Sequence, residues 1–322
     1  MDSLHLAGEF EPDEIYLKRH KSAIDSAMAT VTPHIRENPM FRHSSGVWLK
    51  NESVQPSGSF KIRGAFNALT ALRESGVQGV VATSSGNHAR AIAYAGNRLG
   101  IKALVVIPQD AVASKIAAVR RLGAEVVTSG VTFVNRDRIA CELAEERAWP
   151  LVHSSDNWDV IHGQGSVAAE ILEQEPQVDA IVVPVGGGGL ISGTTLALKS
   201  RNPSALVIGV EPACASDAAI SLRTGYRHRL SKVPATIADG ARMVTIGERP
   251  FEVIVSRHLV DEIVTVTEDE ILASWRAACE ELKTAVEPTG ALSLAALLAG
   301  KIPYITQRES AFVITGGNGS VA

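Results

Sequence analysis

Lys61 follows four turn-forming residues, Pro56, Ser57, Gly58 and Ser59, and opens a helical pattern. A helix N-terminus carries the positive end of the backbone dipole, so it disfavours a lysine in its cationic form. Burial beside Phe60 would push the same way. A neutral lysine is a nucleophile that forms Schiff bases with aldehydes. The competing reading is an ordinary solvated lysine.

A second cluster is VVPVGGGGLISG, residues 182–193. An apolar run ends in Gly186, Gly187, Gly188 and Gly189, and a helix follows at Leu190. Glycines let backbone amides approach an anion closely, and the helix start adds its dipole. This predicts a phosphate cradle with no cationic side chain. Glu211 ends the next strand at a distance suited to a ribose-binding acid, so a dinucleotide site is the alternative. The glycines do not satisfy G-x-G-x-x-G, because the sixth position from Gly187 is Ser192. A phosphate-ligand binding protein without catalysis is the third class.

In TSSGNHA, residues 83–89, a strand turns at Gly86 into a helix. Ser84, Ser85 and Asn87 with the local amides can hold a carboxylate, or can simply cap the helix. In AFVITGGN, residues 311–318, Thr315 ends a β-rich run and can offer a hydroxyl to a ligand nitrogen.

These clusters sit at the junctions of a repeated strand–helix alternation. GVVATSS, KALVVIP, EVVTSG, PLVHSS, AIVVPV, ALVIGVEP, EIVTVT and SAFVITGG read as strands separated by helical patterns. Such alternation predicts an α/β fold of mostly parallel, twisted sheets flanked by helices, with ligand loops after the strands. Residues 213–250 read mostly as loop and short helix. At 322 residues the chain is long enough for two domains.

The net charge of −4 offers no basic surface for nucleic acid, and no apolar run is long enough to span a bilayer. The N-terminus lacks a secretory apolar region. Cys141, Cys214 and Cys279 are far apart, which points to a reducing, cytoplasmic setting rather than disulfides or zinc.

Together and in order, SGSFKIRGA, SSGNHA, GGGGL, GVEP and the final GGN resemble the fold-type II pyridoxal-phosphate enzymes, in the serine/threonine dehydratase and serine racemase branch. The dipeptide at 32–33, IADG at 237–240, VTEDEI at 266–271 and EPTGA at 287–291 extend the resemblance over nearly the whole chain. It implies two domains, a large cofactor domain from 1–79 and 156–322 and a small one from 80–155, paired in a homodimer. It also implies that Lys61 holds the pyridoxal 5'-phosphate aldehyde, Phe60 packs on the ring, and Asn87 bonds its 3-hydroxyl. Gly186 to Gly189 with Leu190 would take the phosphate, and Thr315 would face the ring nitrogen. Ser84, Ser85, Asn87 and His88 lie in the loop for the substrate carboxylate.

The implied reaction is dehydration of a β-hydroxy-α-amino acid to a 2-oxo acid and ammonia, with Lys61 removing the Cα proton. Ser85 stands where racemases carry a second acid–base residue, so amino-acid racemisation is the alternative on the same scaffold. EPACASD, 211–217, resembles a divalent-metal loop, implying Mg²⁺ or Ca²⁺ on Glu211, the Ala215 carbonyl and Asp217.

The chain departs from the family pattern at HSSDNWDVIHGQGS, 153–166, where Ser154, Ser155, Trp158 and His162 replace the expected residues. Ser155 in place of a bulky residue predicts a pocket for a larger side chain, as in a β-aryl-serine or hydroxyaspartate. Arg136 can serve an acidic substrate, but its helical setting favours a solvated arginine. The regulatory domain of biosynthetic threonine dehydratases is not expected, since the sequence stops just after GGN.

Overall fold

The computed structural model describes residues 13–84 and 86–319. In chain order the elements are α1 (Asp13–Val31), β1 (Phe41–Arg42), β2 (Trp48–Asn51), α2 (Lys61–Glu74), β3 (Gly79–Thr83), α3 (Asn87–Leu99) and β4 (Lys102–Val106). Then come α4 (Ala113–Arg121), β5 (Glu125–Val127), α5 (Arg136–Arg147), α6 (Trp158–Gln174), β6 (Ala180–Pro184), α7 (Gly189–Arg201) and β7 (Leu206–Pro212). The series ends with α8 (Asp217–Thr224), α9 (Glu248–Phe251), β8 (Glu262–Val266), α10 (Glu268–Leu282), α11 (Leu292–Leu298) and β9 (Ser310–Ile314).

Two sheets form. One has the order β1-β2-β9-β6-β7-β8 and the other β3-β4-β5. Every pairing is parallel except β1 with β2. β6 and β9 are buried along their whole length. That explains why they read as continuous apolar runs rather than alternating ones. The alternating α/β reading holds. The segment PLVHSS is less regular than expected, since only Leu151 bridges, in parallel, to Val81. The short β1 and β2 carry no strong apolar pattern, and β2 finds its place through β9, Trp48 opposite Ala311 and Asn51 opposite Ile314.

Helix α6 lies between the helices that begin at the lysine and at the glycine run. A Cβ on Gly163 would fall 2.6 Å from the Gly64 Cα, so α6 and α2 touch backbone to backbone. A Cβ on Gly193 would fall 2.5 Å from the Gly165 nitrogen, which brings α7 equally close on the other side. Small residues at these crossings hold Lys61 and Gly189 near one another.

A buried charge network locks the same region. Arg63 donates to both Glu52 oxygens at 2.7 and 2.8 Å and to Glu170 at 2.7 Å. Lys50 donates to the other Glu170 oxygen and to the Asn38 carbonyl. Lys50, Glu52 and Arg63 are fully buried. Two cations and two carboxylates balance, and removal of one would leave an uncompensated charge in the interior. Glu170→Ala is therefore expected to destabilise the protein by about 3–5 kcal/mol, read as a lowered urea midpoint at unchanged m-value.

Candidate active site

A cleft of about 220 Å³ collects the four clusters singled out in the sequence. Lys61, Ser84, Asn87, His88, the four glycines and Thr315 all line it. Lys61 is the first residue of α2, which has no side-chain cap. Its Nζ donates to the Ser154 carbonyl at 2.8 Å and lies 5.0 Å from the Phe60 ring centroid. Burial lowers its pKa from 10.5 to about 8. The unfavourable position of this lysine in a helix is thus matched by an environment that releases its proton.

The turn before Lys61 is stitched to the end of β9. Phe60 N–H donates to the Thr315 carbonyl at 3.0 Å, and Gly317 N–H to the Gly58 carbonyl at 2.9 Å. Asn318 donates from Nδ2 to the Ser57 carbonyl and to the Asn87 Oδ1, at 2.8 and 2.7 Å. The Asn87 Nδ2 in turn donates to the Glu287 carboxylate. Asn87 therefore does not cap its own helix; its amide is oriented by Asn318 on one side and Glu287 on the other. Burial raises the Glu287 pKa to about 7, opposed by the Asn87 hydrogen bond.

The remaining predicted residues divide by geometry. Helix α3 starts after Gly86 without a side-chain cap, which leaves its first amides facing the cleft. Ser84 Oγ accepts the Gly86 N–H at 3.1 Å. His88 is buried and donates Nε2–H to the Val152 carbonyl at 2.9 Å; burial and the Lys61 charge hold its pKa down to about 3. It is a neutral ring that ties α3 to the 152–154 segment. Ser85 lies outside the described residues.

Helix α7 begins at Gly189 after Gly188, whose φ of +88° suits only glycine, and it too has no side-chain cap. A Cβ on Gly187 would fall 2.2 Å from Ser155 Oγ. Ser155 is buried under the glycine loop with its hydroxyl unpartnered, and it lines an adjoining outer cavity. Trp158 and His162, the other departures from the family pattern, line neither cavity. They stack at 5.7 Å and pack on His20 of α1.

A family model described as pyridoxal-phosphate dependent enzyme matches residues 27–316. The chain belongs to that family. It is 44% identical over 273 residues to L-threo-3-hydroxyaspartate ammonia-lyase of Pseudomonas sp, covering 84% of each chain. It is 39% identical over 310 residues to a serine racemase of Oryza sativa subsp. indica, covering 92% of this chain and 90% of that one. Among solved structures, a threonine deaminase of T.th. superposes with a TM-score of 0.88 at 40% identity, covering 94% of this chain and 99% of the other.

Pyridoxal phosphate is thus the cofactor, and the cleft suits it. Uncapped amides at the start of α7 are of the kind that bind anions, and a Cβ at Gly187 or Gly188 would clash with Ser155 Oγ or Pro250 and distort the loop before them. The buried Lys61 amine lines the same cleft.

Several cleft residues escaped the sequence reading. Glu287 was legible only as part of EPTGA, and its contact with Asn87 spans 200 positions. Arg90 lines the cleft with a buried Nε that makes no hydrogen bond. Arg136 is not a solvated helix arginine. Its Nε is buried without a hydrogen bond, its guanidinium sits 4.2 Å from the Phe133 ring centroid, and it lines the cleft. Arg242 approaches the same ring from its own loop, at 5.6 Å.

The lowered Lys61 pKa has a direct consequence. Attack on the cofactor aldehyde requires the neutral amine, whose fraction grows as pH rises through about 8. The rate of covalent cofactor attachment to apoprotein is expected to rise about tenfold per pH unit below that value and level off above it. Visible absorbance follows it, and Lys61→Ala should show no borohydride-stable cofactor.

Proposed function

We propose that this enzyme is a pyridoxal-phosphate-dependent ammonia-lyase that dehydrates a 3-hydroxy dicarboxylic amino acid, of the 3-hydroxyaspartate class, to a 2-oxo acid and ammonia. The observation that carries the choice of substrate is Arg136, whose buried Nε makes no hydrogen bond in the cleft, with Arg242 on the other approach to Phe133. Asp137 lies 3.7 Å from the Nε without a hydrogen bond, so the guanidinium keeps a donor with which to recognise a substrate carboxylate. The 44% identity to a relative named for hydroxyaspartate supports the same reading.

When bound, pyridoxal phosphate supplies an aldehyde and a conjugated ring that stabilises negative charge at the substrate Cα. The chain's own residues do the rest. The free amides at the start of α3 orient the α-carboxylate, and Arg136 orients the distal one. Lys61, once released, takes the Cα proton at Nζ; its low pKa makes it an effective base near neutral pH. The β-hydroxyl departs as water, taking up a proton returned from the Lys61 ammonium. Release of the unsaturated amine and its hydrolysis give the oxo acid and ammonia. Phe60, Asn87 and Thr315 line the cleft, where Phe60 would cover the ring, Asn87 would hydrogen-bond its oxygen and the Thr315 hydroxyl would serve its nitrogen. We also propose a cytoplasmic homodimer whose 80–155 unit closes on the remainder. Among the described residues no helix is long and apolar enough to cross a membrane, and the cysteines are free.

A divalent cation on Glu211, Asp217 and the Ala215 carbonyl is part of the proposal. Among the described residues no group of three or more acidic, histidine or cysteine side chains gathers for a metal, so this site has two acids and a carbonyl. Both Asp217 oxygens are buried without a partner. Glu211 accepts the Ala218 and Ala219 amides at 3.1 and 2.8 Å, and burial, followed by the Asp217 charge, raises its pKa well above the usual range. Two neighbouring buried carboxylates, Glu211 raised by burial and the Asp217 charge and Asp217 raised by burial, suit Mg²⁺ or Ca²⁺, which would offset the cost of holding them ionised and stiffen the start of α8.

Two outcomes test the proposal. Arg136→Ala should lower kcat/KM for 3-hydroxyaspartate by about 10- to 100-fold and that for serine far less, scored as ammonia and oxo acid. A wild-type preference for serine, or an enantiomer as the main product, would refute it. For the metal, Mg²⁺ at about 100 times its Kd should add about 2.7 kcal/mol of stability, absent in Asp217→Asn. Burial raises the Asp217 pKa to about 6, so the effect should fade as protonation displaces the cation below that pH.

A further inference from the structure

A second cavity, of about 420 Å³, adjoins the cleft and shares Phe133, Arg136, Asp137, His153 and Met243 with it. Its far wall is the basic segment RHRLSK, 227–232, which contributes Arg227, Arg229 and Lys232. These three residues line the outer cavity and not the cleft itself.

The acids of this cavity are already engaged. Glu248 pairs with Arg227 at 3.1 Å. Asp156 accepts the Glu248 and Arg249 amides, both at 3.0 Å, and the Arg249 guanidinium at 3.3 Å. Those bonds hold its carboxyl below the usual range, although burial opposes them. Asp137 lies 3.7 Å from the Arg136 Nε. His153 accepts two backbone amides at Nδ1, and burial lowers its pKa, so it adds no charge near neutral pH. Among the described residues, Arg229 and Lys232 have no ion pair.

The basic segment is also held in place. Its Leu230 N–H donates to the Val244 carbonyl at 2.8 Å, and the Thr245 hydroxyl to the His228 carbonyl at 2.8 Å. At its start the His228 N–H donates to Ser221 Oγ at 2.9 Å. The unpaired cations are therefore carried by an anchored strap.

We infer that this outer cavity is the substrate entrance, and that Arg229 and Lys232 concentrate dicarboxylates there and pass them to Arg136. With its acids engaged by Arg227, Arg249 and Arg136, the wall's unpaired charges are the cations Arg229 and Lys232, and a surplus of one sign in a cleft raises the local concentration of oppositely charged ligands. A dicarboxylic amino acid carries net negative charge near neutral pH, whereas serine carries none, so the entrance discriminates before any contact in the cleft. The inference rests on the proposed dicarboxylate substrate but concerns different residues and a different step.

The test uses holoenzyme, wild type and Arg229→Gln/Lys232→Gln, at about 20 and about 200 mM salt, because the Debye length falls severalfold over that range. The expected result for 3-hydroxyaspartate is an unchanged kcat with kcat/KM lowered about threefold or more in the variant, and a loss of that difference at high salt. Serine kcat/KM serves as the uncharged reference and should move by less than twofold. Succinate, a non-reacting dianion, is measured in parallel as an inhibitor of serine turnover. Its Ki should rise in the variant at low salt only. If succinate Ki is indifferent to both the variant and salt, the entrance is overturned, whatever the enzyme does with 3-hydroxyaspartate. If succinate responds but 3-hydroxyaspartate is not turned over, the entrance stands and the proposed substrate falls.

Discussion

The four buried charges of Lys50, Glu52, Arg63 and Glu170 constrain everything near the cleft. Ionic groups in an interior cost several kcal/mol each in lost hydration unless the pairing is complete. Complete pairing here is possible in one arrangement, with β2, the turn after it, α2 and α6 at fixed distances. Arg63 is two residues from Lys61, so the arrangement that satisfies the charges also fixes the reactive amine. The glycine crossings of α6 with α2 and α7 do the same for packing. Charge and shape converge on one geometry, which is how an awkwardly placed lysine is kept from relaxing into solvent.

Helices α2, α3 and α7 begin at the cleft, and none of these has a side-chain cap. Uncapped starts ordinarily lower stability. At this site the starts of α3 and α7 bring uncapped amides to one cleft, while the first turn of α2 bonds its amides to Ser59 and Phe60 carbonyls and brings its dipole end. Burial, rather than the field of these helix ends, lowers the Lys61 pKa, so anion binding and base strength have separate physical origins within one cleft, which Arg90, Arg136 and Arg242 also line.

The parts of this arrangement visible in sequence were those coded locally. The strand–helix alternation, the glycine run before α7 and the lysine after PSGS are each contiguous. What the sequence did not reveal is set by contacts across the chain. Asn87 resembled a capping residue, yet its partners are Glu287 and Asn318. Arg136 resembled a surface residue of α5, yet the fold covers its Nε and turns it into the cleft. Ser155 was expected to widen the substrate pocket, and it lies beneath the glycine loop, where a larger side chain would meet Gly187 and Gly189. β1 and β2 were missed because β2 is only four residues long and its neighbour in the sheet is more than 250 residues away.

That last pairing has a consequence for how the enzyme is made. β9 sits in the middle of the large sheet, between β2 and β6, although it is the last of the described strands to be synthesised. Until it emerges, β2 and β6 have unpaired edges, and the turn before Lys61 lacks the Thr315 and Gly317 bonds that hold it. Loop closure over that span is slow as well as late. Until β9 is made, the nascent chain therefore carries its amine and its glycine run without a site that joins them. Cofactor capture becomes a report that synthesis has passed β9.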